Sequence, residues 1–232
     1  MADLDPERLL PDLPWPDPPA PGAKVAASIR QQCTGNLKPK RGLSARARAL
    51  LTLVLTLAVV AVFGGLAHAE RPEGALRAAL FGAAGWAVVL LAVLSVGLLR
   101  PPGRRSRMRL LLAATVPAVF FGYLAFAASS QLPLGEFFTS GHGGGALGCG
   151  LHALLFGAIV GGGTLYLWRG TDPLSPRLSG ALVGLVGGLA GAITIGVACP
   201  SGETWHLWLG HGAALLTLVA CGALFGRRVL SP

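Results

Sequence analysis

After about residue 48 the chain alternates between long apolar stretches and short polar connections. Six stretches stand out, at 49–67, 78–99, 110–128, 147–168, 178–198 and 205–225. Each is close to the roughly 20 residues that a helix rising about 1.5 Å per residue needs to cross a bilayer core. None carries a Lys, Arg, Asp or Glu. None shows the polar stripe every three or four residues that a helix of a soluble bundle turns to water. The pattern predicts an all-α polytopic membrane protein, with a bundle of six transmembrane helices over 49–228 and a separate segment over 1–48.

The flanking charges then give an orientation. Eight basic residues precede the first stretch (Arg8, Lys24, Arg30, Lys38, Lys40, Arg41, Arg46 and Arg48). Five lie between the second and third (Arg100, Arg104, Arg105, Arg107, Arg109), two between the fourth and fifth (Arg169, Arg177), and two at the end (Arg227, Arg228). These 17 of the 19 cationic residues fall on one side; only Arg71 and Arg77 fall on the other. By the positive-inside rule both termini are cytoplasmic. The formal charge of +9 therefore reports topology and contact with the anionic headgroups of the lipid bilayer. It does not predict direct binding of nucleic acid, because the cations are spread over four loops with no recognition helix. Sixteen Arg against three Lys, with abundant Ala and Gly, point to a GC-rich bacterial genome and so to the bacterial inner membrane. The outer side is then a compartment where disulfides persist.

Residues 1–48 are acidic at first and rich in proline, with no apolar core of the kind a cleavable signal peptide carries. They are too few to form a domain with its own core. Asp5-Pro6-Glu7-Arg8 reads as a helix start, with an acidic cap and Pro in the first turn. Leu9, Leu10 and Leu13 give that helix an apolar face. Five prolines over 14–21 predict an extended spacer. A second helix is expected over 23–32, where Val25, Ile29 and Cys33 recur every four residues on one face. Five of the ten acidic residues lie in the first 17 positions. An acidic amphipathic tip suits a basic protein partner that takes a helix in a groove, with Leu9, Leu10, Leu13 and Ile29 as anchors. A solvated tail preceding the first span is the bland reading of the same residues.

Candidate chemistry gathers at the outer end. Cys149 begins the fourth span and Cys199 closes the fifth. His68 and His142 lie in outer connections, and His206 begins the sixth span. His152 and His211 lie about one turn below the boundary. Three readings compete for Cys149, Cys199, His152 and His206: a disulfide between antiparallel spans, a thiol or metal sensor, and ordinary interfacial packing. Thiolate and imidazole ligands suit Zn or Cu, and a nearby His favours the reactive thiolate. His152 and His211 are also placed to hold haem b from two helices, against which stand the few aromatics and the lack of any deeper His. Cys221 reads as packing and Cys33 as a cytosolic thiol.

Gly180, Gly184 and Gly188 recur every four residues in the fifth span, with Gly187 and Gly191 beside them. Gly157 and Gly161 in the fourth, and Gly210, Gly222 and Gly226 in the sixth, complete a set of small-residue ladders that let helices approach closely. The last three spans should form one tight unit. No carboxylate, Lys or Arg lies inside a predicted span, which argues against a pump or coupled transporter. A small channel or transporter subunit is the alternative function. An enzyme is disfavoured, since neither a carboxylate pair nor an activated nucleophile occurs in or near the spans.

The order of these features resembles a known family. Met1-Ala2-Asp3-Leu4-Asp5 opens the chain, followed by leucines, a basic stretch and the spans. Leu167-Trp168-Arg169 precedes Leu178-Ser179-Gly180-Ala181, which enters the Gly-rich span. That span ends in Cys199-Pro200, followed by Trp205-His206-Leu207-Trp208 and a final Gly226-Arg227-Arg228. The chain resembles the NrsF-type six-span membrane anti-sigma factors of bacteria over nearly its whole length, most specifically in the second half. The resemblance implies a protein whose N-terminus holds an extracytoplasmic-function sigma factor at the membrane until a stress releases it, with Cys149 and Cys199 as the paired sensing residues. The Pro-rich spacer, the glycines over 141–145 and the extra outer histidines depart from the family pattern. They leave the signal open between a metal, an oxidant and a light-generated oxidant.

Overall fold

The computed structural model describes residues 22, 24–28, 31, 43–65, 73–99, 106–128, 136, 142–172 and 174–231, excepting the side chains of 73–79, 106 and 142. The chain divides into two units, Met1–Gly42 and Leu43–Pro232. In the first, residues 24–28 and Gln31 are helical, and Ala26 N–H donates to the Gly22 carbonyl at 3.0 Å. Leu9, Leu10, Leu13, Ile29, Cys33, His68 and Arg71 lie outside the described residues.

The second unit is helical, and six of its helices are long and apolar enough to cross a membrane. We label them α1 (Ala45–Val59), α2 (Glu73–Ala92), α3 (Ser106–Ala127), α4 (His142–Leu167), α5 (Pro176–Ala198) and α6 (Thr204–His206, continued by Ala213–Val229). Three of them contain π-helical stretches, at Val60–Gly64 after α1, at Val93–Leu98 after α2 and at Leu207–Gly212 within α6.

Several boundaries differ from the sequence expectation: the second helix begins at Glu73 rather than 78 and the third at Ser106 rather than 110, and two further starts have a visible cause. The first span begins at Ala45 rather than 49, because Ser44 caps it: the Ser44 hydroxyl accepts from Ala47 N–H at 3.1 Å, satisfying a donor that the first turn leaves open. Arg46 and Arg48 thus belong to the helix, where long aliphatic stems let their charged heads reach the headgroup layer. The fourth span begins at His142 rather than 147. The glycines at 143–145 are poor helix formers, yet packing against α6 draws them into the helix.

One helix organises the bundle. Of the α5 span, 83% is buried, against 22–39% for the other five, and α5 touches every other span. Its two glycine stripes face different neighbours. A Cβ on Gly180 or Gly184 would run into the α6 backbone at Gly222 or Leu218, and one on Gly187 or Gly191 into α4 at Gly157 or Ala153. Backbones therefore meet directly where lipid-like side chains would hold them apart. Larger residues close the periphery: Phe63 stacks on Phe156 with centroids 4.5 Å apart, and Trp86 meets Phe120 edge-on at 4.8 Å. The two ends of the bundle differ in chemistry. Arg48, Arg109, Arg177 and Arg227 mark one, which we call the basic end; Cys149 and Cys199 mark the other.

Candidate functional site at the cysteine end of the bundle

Three helices converge where α5 ends. Cys199 caps the C-terminus of α5 in extended conformation, and its N–H donates to the Ile195 carbonyl at 2.6 Å. Cys149 sits in the second turn of α4. The Cys149 thiol faces Cys199 with the sulfurs 3.7 Å apart, and both are free thiols. Gly210 allows this approach of α4 to α6, since a Cβ there would press on the Ala146 carbonyl at 3.0 Å.

His206 enters from α6. Glu203 caps that helix, its carboxylate accepting from the His206 N–H at 2.6 Å, and the His206 Nε2 lies 3.1 Å from the Cys199 sulfur. Both Glu203 and His206 are buried. His211 completes the group: one ligand atom from each of Cys149, Cys199, His206 and His211 lies within 4.8 Å of all the others. His211 is 3% exposed, and its Nε2 has no hydrogen-bond partner among the described residues. A cavity of about 450 Å³, bordered by Trp86, Tyr123, Ile193, Cys199 and His211, opens beside the cluster.

The electrostatics favour a reactive sulfur. The hydrogen bond from the Cys149 thiol, opposed by burial and aided by His206, His211 and the backbone at Ser201, holds the Cys199 thiol below its ordinary pKa. A lowered thiol is both the nucleophile and the metal ligand at neutral pH. Such a group can ligate a soft or borderline cation, react with an electrophile, or be oxidised with its neighbour to a disulfide.

The structure brings together three of the four residues read from the sequence as sensing residues, Cys149, Cys199 and His206. It places His152 elsewhere. His152 is exposed, its Nδ1 lies 2.8 Å from the Gly148 carbonyl, and its ring stands beside Phe156. Three residues beyond Cys149, it points to the outside of α4 while Cys149 points to α5. His211 occupies the fourth position instead. In a regular α-helix, residues five apart diverge by about 140°, so the spacing of His206 and His211 gave no hint that they share a face. The stretch Leu207–Gly212 is π-helical, and its i→i+5 hydrogen bonds bring residues five apart nearly over one another. Haem ligation by His152 with His211 does not fit, since His152 lies outside the cluster.

A second polar group, missed in the sequence, lies at the basic end. Arg109, by sequence a cation of the connection between the second and third spans, is buried in the first turns of α3. Its Nη2 donates to Asp172 Oδ2 at 3.1 Å and also to the Ser179 hydroxyl, and its Nη1 donates to the Ser175 hydroxyl at 3.0 Å. Asp172 accepts from the N–H groups of Leu174 and Ser175 at 3.1 and 2.9 Å and from the Ser179 hydroxyl. Asp172 N–H donates to the Leu230 carbonyl at 3.1 Å. This clasp joins α3, the start of α5 and the end of α6. Burial pushes the Asp172 carboxyl up, but hydrogen bonds from Ser179, Ser175 and Arg109, with the charge of Arg109, hold it below the usual carboxylate range.

Against known proteins, the family model described as NrsF, negative regulator of sigma F, matches residues 34–231. No curated protein and no solved structure matches. The chain belongs to the NrsF family. It is thus a multi-pass membrane protein of a regulatory, not an enzymatic, family, whose description names a sigma factor as the regulated partner.

Proposed function

We propose that this chain is an anti-sigma factor of the bacterial inner membrane. In this reading it holds an extracytoplasmic-function sigma factor through its cytoplasmic N-terminal segment and releases it when a stress acts at the outer face. The observation that carries the reading is the placement of a reactive thiol pair and a polar clasp at opposite ends of one buried helix. Cys199 terminates α5 and Ser179 begins it, and the glycine stripes leave no compliant layer between α5 and its neighbours. Packed interiors of this kind transmit displacement rather than absorb it. With the basic end in the cytoplasm, the clasp lies on the sigma-binding side and the thiols face the environment.

Residues 1–48, with Leu9, Leu10, Leu13 and Ile29 as anchors, are assigned the partner-binding role. Ordering such a segment costs a few kcal/mol, about 2–5 in coupled folding and binding, so several aliphatic side chains must be buried to offset it. Release requires that the two states of the bundle differ in affinity for the sigma factor; a change at the thiols without that difference does nothing. The alternative of a channel or transporter subunit loses its ground with the family assignment. Deleting residues 1–35 tests the reading: sigma-dependent transcription should become constitutive while the truncated chain still inserts in the membrane. Unchanged repression by the inserted truncation would overturn it.

A further inference from the structure

The four convergent side chains at the end of α5 form more than a thiol pair. We infer that Cys149, Cys199, His206 and His211 are a tetrahedral Cys2His2 site for a soft or borderline divalent cation such as Zn²⁺. As the identity of the signal, this inference rests on the thiol pair being the sensory input; as a binding site it stands by itself.

The geometry of the cluster supports it. A tetrahedral ion with bonds of about 2.3 Å to sulfur sets two thiolates about 3.8 Å apart, and the two sulfurs lie 3.7 Å apart. All four ligand atoms lie within 4.8 Å of one another, so a single ion reaches each with small side-chain adjustments. The Cys199–His206 contact of 3.1 Å is shorter than a sulfur–nitrogen edge of about 3.6 Å around such an ion, so loading moves the imidazole back by about 0.5 Å. His211 is buried, and its Nε2 has no hydrogen-bond partner among the described residues, a desolvation cost that a ligand removes. The π-helical turn that aligns His206 with His211 is itself a costly departure from α geometry, of the kind found at functional sites.

The charge balance suits the location. A divalent cation held by two thiolates and two neutral imidazoles forms a complex of zero net charge, and any proton still on a thiol leaves to solvent as the ion binds. A neutral complex is the form that a low-dielectric bundle end tolerates. The cavity beside Cys199 and His211 supplies a route to the site.

The test uses the purified full-length chain in lipid nanodiscs without the sigma factor, with Co²⁺ as the spectroscopic probe and Zn²⁺ as competitor. One Co²⁺ per chain should bind, with thiolate-to-cobalt charge-transfer absorption and the intense visible bands of a tetrahedral ion, and Zn²⁺ should displace it. The absorption should vanish in Cys149→Ser and Cys199→Ser. Affinity should fall by more than about 100-fold in His211→Ala, since even partners beyond the ligands are worth 10–100-fold, and stay within about threefold in His152→Ala. Wild-type chain saturated with Zn²⁺ should also resist alkylation of both thiols, a readout that needs no variant to fold. Absence of the charge-transfer band, equal binding by His211→Ala and wild type, or unprotected thiols in Zn²⁺ would overturn the site. None of these results bears on whether residues 1–35 hold the sigma factor, so the two readings fail separately.

Discussion

Arg109 and Asp172 form a 3.1 Å ion pair with side chains only 4% and 6% exposed, although one begins α3 and the other lies between α4 and α5. Removing one partner of such a pair leaves a buried charge without its counterion, at a cost of about 3–5 kcal/mol. Asp172→Asn should therefore lower the thermal midpoint of the chain in detergent micelles by several degrees. Leu98→Ile, a nearby change without charge, should shift it far less.

The same pair predicts a pH dependence with a definite sign. The folded Asp172 carboxyl lies below its ordinary range, so its contribution is complete above an unfolded value of about 4. That contribution is lost as the pH falls through the lower folded value. Thermal midpoints of the wild type should fall on acidification below about pH 4, and those of Asp172→Asn should fall less. Parallel curves for the two proteins would show that the clasp titrates no differently from the unfolded chain.

Glycine packing gives a prediction with an internal control. A Cβ at Gly184 would collide with the Leu218 carbonyl, whereas one at Gly162 meets nothing within 4 Å. Gly184→Ala should destabilise the bundle by about 1–3 kcal/mol through overpacking, and Gly162→Ala should be neutral or slightly stabilising because Ala is the better helix former. Thermal unfolding of the two variants side by side checks the central position of α5.

Much of this fold was legible in the sequence because the bilayer imposes it. Twenty apolar residues without charge have few alternatives to a spanning helix, and glycines every four residues signal a close helix contact. The thiol pair was legible for the same reason: once the spans are placed, the end of the fourth and the end of the fifth lie at one depth. His211 was not, because α-helical periodicity puts it on the wrong side of His206, and only the π turn corrects the phase. His152 attracted attention through its spacing from Cys149, but an i+3 neighbour on a helix need not share the inward direction. The Arg109–Asp172 clasp escaped because an Arg at a span boundary reads as a topology anchor, and its partner lies 63 residues away.

Topology supplies an independent check on the orientation. Reporter fusions after Arg105 and after Arg228 should both read cytoplasmic, and a fusion after Glu136 should read periplasmic. A cytoplasmic signal at Glu136 would turn the thiols inward and remove them from the environment they are proposed to sense.

Cysteine and histidine variants separate the possible signals in cells. Cys149→Ser and Cys199→Ser should each abolish induction by both diamide and zinc. Under a metal signal His211→Ala should lose zinc induction while His152→Ala keeps it, and under a purely thiol-oxidative signal both histidine variants should respond normally to diamide. Normal induction in both serine variants would return the pair to a packing role.

In the proposed function, the thiol end of the bundle governs how tightly the N-terminal segment holds a sigma factor. The most direct measurement is the fraction of the cognate sigma factor that sediments with membranes carrying the full chain, before and after challenge with zinc or diamide. Most of the sigma factor should sediment before challenge and move to the supernatant afterwards, with the shift abolished by Cys199→Ser. A sigma factor that never sediments with these membranes, or that leaves wild-type and Cys199→Ser membranes equally, would contradict it.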